Sequence, residues 1–374
     1  MMRVLKTCIC ALIFSLVCGM ALAAPVKIGL MAPLTGAFAS EGQDMRKLVE
    51  LLAEEVNKAG GINGNPVELI VEDDGSDPRQ AANAAQRLIA KEVFASIGTY
   101  GSAITEASQS IYDEAGVIQV TTGSTATRLT EKGLKLFFRT CPRDDEQGRV
   151  AAGAVEKLGF KRLAILHDNS AYAKSLAEEA KALIDENKDI EIIFYDALVP
   201  NERDYTAILT KLKGTNPDGI LFTGYYPEAG MLLRQMKEMK WTVPMVGGDA
   251  TNNLDLVKIA GKDAAEGYYF VSPPLPSDLD SPKTQAFLKA YVEKHKEEPS
   301  SIWSVIAGDA FNVLVEAVKN VGTDPEKVAE YLRKDIKDFE GLTGKISFDD
   351  KGDRVGDLYR LYKVNAEGKF VLQP

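Results

Sequence analysis

Two short apolar runs, Phe94 to Gly98 and Val117 to Val120, each end in a small polar turn. The first turn, T-Y-G-S-A, holds Tyr100 and Ser102; the second, T-T-G-S-T, holds Gly123 and Thr125. Runs of this length and composition read as buried parallel strands, so the turns bring hydroxyls and bare amides to one sheet edge. Ligands of open α/β sheets sit outside the carboxyl ends of the strands, and helices that begin there aim N–H groups at anions. Ser102, just ahead of the helical stretch Ala103 to Glu114, is placed to receive a small carboxylate; capping its own helix is the plainer alternative. Three further strand ends carry Tyr172 in N-S-A-Y-A, Tyr225 in T-G-Y-Y-P-E and Asp249 in V-G-G-D-A. Aromatic rings supply a wall, hydroxyls and N–H groups suit a carboxylate, and a lone Asp among glycines suits an ammonium. The combination fits a free amino acid.

The elements that must position these residues form two similar units. Val26 to Met31 reads as a strand, a helical stripe follows at Met45, Leu48, Val49, Leu52 and Val56, and Val67 to Val71 is a second strand. Asp77-Pro78 then opens a helix with an Asp cap and Pro at its first position. This β-α-β-α-β order with short loops implies a parallel sheet with right-handed crossovers. Past Cys141 the alternation restarts, with strands at 163–166, 190–195, 219–223, 243–246 and 268–271, and gives a second parallel sheet. Residues 281–335 add three helical segments without strands, which implies a return to cover the first lobe, and the tail reads as terminal strands. The expected fold class is therefore α/β, with two doubly wound parallel-sheet lobes joined by a hinge of several crossings. The expected division is 1–23 as a signal peptide, 24–143 with 273–350 as the N-terminal lobe, and 144–272 with 351–374 as the C-terminal lobe.

Composition narrows the function classes. A chain of 374 residues implies about two domains. Arg3 and Lys6, the apolar run Ile9 to Val17 and the exit Ala21-Leu22-Ala23 have the pattern of a secretory signal peptide. The apolar run falls short of the roughly 20 residues of a membrane span. Lipid modification at Cys18 stays open. Loss of Arg3 and Lys6 leaves 42 of the 44 basic residues against 54 acids, a net charge of −12, which disfavours nucleic acid and anionic membrane as partners. The same cleavage removes Cys8, Cys10 and Cys18, so Cys141 is left without an intramolecular partner. Catalytic signatures are scarce. His167 and His295 are the only histidines, and the sequence has no nucleophile elbow and no phosphate loop. No cofactor or metal is implied, and an enzyme is not expected. Glu72-Asp73-Asp74 reads as a solvated loop with capping work.

The segments K-A-G-G-I-N-G-N, D-D-G-S-D-P-R-Q-A, T-A-T-R-L-T, F-F-R-T, G-Y-Y-P-E-A-G-M-L-L-R-Q-M and F-D-D-K-G-D resemble the periplasmic leucine/isoleucine/valine-binding proteins of ABC importers. The likeness spans essentially the whole chain after residue 23. It implies the type I periplasmic binding fold, a periplasmic monomer, an amino-acid ligand and an inner-membrane ABC permease as partner. By resemblance, Ser102 and Thr125 hold the ligand carboxylate, while Asp249, the Gly123 carbonyl and the Thr125 hydroxyl hold its ammonium. Tyr172 and Tyr225 close from the second lobe, and Trp303 lines the side-chain pocket. Three departures stand out. Glu41 in F-A-S-E-G occupies a place where an aromatic ring is common and, if it points inward, would set a charge beside the ligand side chain. Ser76 and Gly101 replace the family's common disulfide, and Asp249 replaces a longer Glu. Branched-chain or similar aliphatic amino acids are the first expectation; a polar, aromatic or non-α amino acid, or an amide or urea sensor on the same fold, are the alternatives.

Overall fold

The computed structural model describes residues 24–374. The expected signal peptide and Cys18 lie outside the described residues. Strands β1 (Val26–Ala32), β2 (Val67–Asp73), β3 (Ala95–Ile97), β4 (Ile118–Thr121) and β5 (Phe137–Arg139) form one sheet in the order β2-β1-β3-β4-β5, with every pair parallel. Between them run α1 (Ala39–Lys58), α2 (Pro78–Ala90), α3 (Ser102–Glu114) and the short α4 (Arg128–Glu131). Strands β1, β3 and β4 are almost wholly buried, because helices cover both faces of a parallel sheet. Asp77 caps α2 by accepting from the N–H groups of Arg79 and Gln80.

The second sheet holds β6 (Arg162–His167), β7 (Glu191–Ala197), β8 (Gly219–Thr223), β9 (Met245–Gly247) and β10 (Tyr269–Ser272). The chain enters it through α5 (Asp144–Lys157) and continues through α6 (Ala171–Ile184), α7 (Thr206–Gly214), α8 (Tyr226–Glu238), α9 (Asp255–Ala260) and α10 (Lys262–Ala265). Next come α11 (Pro282–His295), α12 (Ile302–Val321) and α13 (Pro325–Lys334), and they return to the first sheet as expected. The apolar stripe of α12 joins β1, β3, β4 and α1 in one core, where Ile306, Ala310, Val313 and Leu314 are fully buried. A small antiparallel hairpin of β11 (Phe339–Glu340) and β12 (Lys345–Ile346) follows. Then β13 (Arg360–Val364) and β14 (Phe370–Leu372) add to the second sheet.

That addition refines the expectation of a wholly parallel second sheet. Its order is β14-β13-β10-β9-β8-β6-β7, and the two terminal strands pair antiparallel. A short turn is enough to join β13 to β14, whereas a parallel pair would need a crossover. The acidic run Glu72-Asp73-Asp74, at the end of β2, also differs from a solvated loop. Asp74 is fully buried, and Asp73 accepts from the Leu34 N–H at 2.9 Å and the Thr35 hydroxyl at 2.6 Å, which pins the β1–α1 turn.

The chain crosses between the sheets after β5, after β10 and before β13. Arg139, fully buried at the end of β5, pairs with Asp353 at 2.5 Å, and Arg143 reaches the same carboxylate at 2.6 Å. Two crossings are thereby joined by one buried ion-pair network. No described helix is long and apolar enough to span a membrane.

Candidate functional site

The turns after β3 and β4 pack against each other as their composition requires. Ser102 is the first residue of α3, whose cap is Gly101, and its hydroxyl accepts from the Ala126 N–H at 3.3 Å. The side chain therefore ties the two turns together and does not cap its own helix. Gly123 donates its N–H to the Thr99 carbonyl at 3.2 Å. A Cβ at Gly123 would stand 2.8 Å from the Tyr100 ring and 2.9 Å from the Tyr100 carbonyl oxygen, so only glycine fits. Beneath lies a buried hydroxyl chain in which Thr105 meets Thr99 and Ser124 at 2.7 Å each and Thr121 at 3.1 Å. Above it the Thr125 hydroxyl is buried without a hydrogen-bond partner, a condition that folded chains rarely tolerate.

Aromatic rings close the space from both lobes. Tyr225, the cap of α8, lies 4.3 Å between ring centroids from Phe38 and 5.9 Å from Tyr100, both of the first lobe. Tyr172, near the start of α6, lies 5.3 Å from Tyr225. Trp303, at the start of α12, lies 6.0 Å from Tyr100. Rings of opposite lobes in contact mean that the cleft is shut. The Trp303 indole N–H and the Tyr100 hydroxyl are both buried without a partner.

Asp249 sits in the 3-10 turn after β9 and is 1% exposed. Its carboxylate accepts from the Tyr359 hydroxyl at 2.7 Å. Its N–H donates to Gln147 Oε1 at 2.9 Å, and the same oxygen accepts from the Tyr172 hydroxyl at 3.2 Å. Among the described residues no cation pairs with it, and burial pushes its carboxyl up to about 7. Asp144, fully buried nearby, is pushed up to about 8, first by burial and then by the Asp249 charge.

Glu41 points inward and is fully buried in the first turn of α1. It does not stand free beside a ligand side chain, because one oxygen accepts from Asn253 Nδ2 at 2.6 Å and the other meets the Ser301 hydroxyl at 2.5 Å. Burial raises its carboxyl to about 8, so it is held largely uncharged at neutral pH.

The fold thus gathers all nine residues singled out by sequence around one interlobe space. Sequence reasoning missed Phe38, Gln147, Asn253 and Tyr359. Phe38 shares the F-A-S-E-G turn with Glu41, and Asn253 follows Asp249 by four residues, so proximity along the chain was a usable signal. Gln147 and Tyr359 stand beside crossings between the sheets and carry no local sign. Other chemistry recedes. His167 Nδ1 accepts from the Asn169 N–H at 3.0 Å and so shapes a turn. Burial pushes the Cys141 thiol up to about 12, far from a reactive thiolate. The described residues hold no cluster of three His, Cys, Asp or Glu fit for a metal.

A family model described as periplasmic binding protein matches residues 25–369. The chain belongs to the periplasmic binding protein family. A leucine-, isoleucine-, valine-, threonine- and alanine-binding protein of Pseudomonas aeruginosa is 36% identical over 345 residues, covering 91% of this chain and 90% of that one. The Leu/Ile/Val-binding protein BraC3 of Rhizobium johnstonii is 35% identical, covering 98% and 99%. Among solved structures, the leucine-binding protein LivK of Thermotoga maritima superposes with a TM-score of 0.85 at 31% identity, covering 93% of this chain and 98% of that one. LivJ of Streptococcus pneumoniae, a branched-chain amino acid transporter substrate-binding protein in complex with isoleucine, gives 0.84 at 32% identity, covering 93% and 100%. The resemblance read from the motifs and the type I binding fold are both borne out.

Proposed function

We propose that this chain is the extracytoplasmic receptor of an ABC importer and captures one small α-amino acid between its lobes, with leucine, isoleucine and valine first. The supporting observation is the pairing, across one shut cleft, of a partnerless hydroxyl at Thr125 with a buried carboxylate at Asp249 that has no cation. A zwitterion completes both. Its carboxylate takes the Thr125 and Ser102 turns with the start of α3, and its ammonium takes Asp249, the Gly123 carbonyl and the Thr125 hydroxyl. Tyr172 and Tyr225 cover the backbone of the ligand, while Tyr100 and Trp303 border its side chain.

No bond is made or broken in this account. Capture biases an open and closed equilibrium by contacts to both lobes, and the closed form is what a permease in the inner membrane receives. The rigid bodies are residues 24–143 with 273–350 and residues 144–272 with 351–374. Residues 1–23 are a cleaved export signal, and the mature protein acts in the periplasm as a monomer. The names of the relatives support the aliphatic class. A side chain that carries a hydrogen-bond acceptor is the second reading, favoured by the partnerless N–H of Trp303 and hydroxyl of Tyr100. Calorimetric titration of the mature protein with the proteinogenic amino acids separates the two readings, and the absence of binding by every one of them would refute both.

A further inference from the structure

Glu41 bridges the two lobes without help from any ligand. Asn253 belongs to the second lobe and stands 212 residues away in sequence. Its Oδ1 accepts from the Asp255 N–H at 2.8 Å, which turns its Nδ2 toward Glu41. On the other side of Glu41, the Ser301 hydroxyl also accepts from the Trp303 N–H at 3.2 Å, so the acid is anchored to the start of α12. Beside this pair, Ser40 and Tyr226 bring their hydroxyls within 3.0 Å, Tyr226 donates to the Ala37 carbonyl at 3.2 Å, and Asn253 Nδ2 also reaches Ser40 at 3.2 Å. Residues 37–41 come from the first lobe, and Tyr226 and Asn253 from the second. The seam can exist only when the cleft is shut.

We propose that Glu41 and Asn253 are positioning residues for capture, forming a seam that stabilises the closed form irrespective of what is bound. The proposal rests on the capture reading only where affinity is measured. Two consequences follow from the geometry. A bond that favours closure without touching the ligand scales the affinity for every ligand by one factor. An acid with both oxygens engaged takes no part in selecting the side chain, which reconciles Glu41 with an apolar ligand.

The test uses the mature protein and its Glu41→Ala, Asn253→Ala and Glu41→Gln variants. L-leucine and L-threonine are titrated by calorimetry, dissociation is followed by stopped flow, and small-angle scattering is recorded without ligand. Both alanine variants are expected to weaken the two amino acids by the same factor, roughly 5- to 30-fold, chiefly through faster dissociation. They are also expected to increase the ligand-free radius of gyration. Glu41→Gln keeps an acceptor for Asn253 and is expected to stay within about 3-fold of the parent. The double alanine variant is expected to lose no more than either single one. The proposal is overturned if Glu41→Ala shifts leucine and threonine by clearly different factors, or if Asn253→Ala leaves affinity and scattering unchanged. If neither amino acid binds the parent protein, the capture reading fails, and the scattering comparison still decides the seam.

Discussion

Replacing Asp249 by Asn keeps the shape of the side chain and an acceptor for Tyr359 while removing the negative charge. In the ligand-free cleft that carboxyl is moved from 3.8 to about 7 by burial. Holding an ionised carboxyl there without a cation costs on the order of several kcal/mol. The ammonium of an amino acid offsets that cost, so removing the charge forfeits a charge-assisted pair worth roughly 2 to 4 kcal/mol. Calorimetry at pH 7.5 is expected to show leucine binding weakened by roughly 30- to 1,000-fold. The same substitution acts oppositely on the empty protein. A carboxyl whose folded pKa is raised gives its full stability below the unfolded value near 4 and loses it as pH rises through about 7. The ligand-free parent therefore loses melting temperature between pH 5 and pH 8.5, and the Asn variant loses less. An Asn variant that binds leucine like the parent, or that gains no stability over it at pH 8, would refute the reasoning.

Thr125→Val fills the place of the partnerless hydroxyl with a methyl and is expected to weaken leucine by roughly 5- to 30-fold with little change in melting temperature. Gly123→Ala pushes a Cβ against Tyr100 and is expected to abolish binding, while circular dichroism keeps the parent signature. Asp353→Ala leaves Arg139 buried without its partner and is expected to cost roughly 3 to 5 kcal/mol in denaturant unfolding. Affinity is expected to fall on the acid side below about 7 as Asp249 takes a proton, read in a pH series of titrations.

Four strands of the first sheet and the two turns that meet at the candidate site were legible, because short buried runs ending in Gly, Ser and Thr read as parallel strands that bring small polar residues to one sheet edge. Asp249 was legible for the same reason, as a lone acid among glycines at a strand end. The strand Phe137–Arg139 was not, since three residues ending in a buried Arg make sense only once Asp353 arrives from 214 residues later. Glu41 shows the limit most sharply. Whether it turns inward was left open by the sequence, and its burial depends on Asn253 and Ser301, which no local pattern ties to it. The antiparallel end of the second sheet likewise follows from where the chain returns and not from its local composition.

The most direct measurement compares L-leucine with 4-methylpentanoate, which lacks the ammonium, and with isopentylamine, which lacks the carboxylate, by titration calorimetry on the mature protein. Gripping of both ends predicts tight binding of leucine and a loss of at least about 100-fold for each analogue. Equal affinity for either analogue would contradict it.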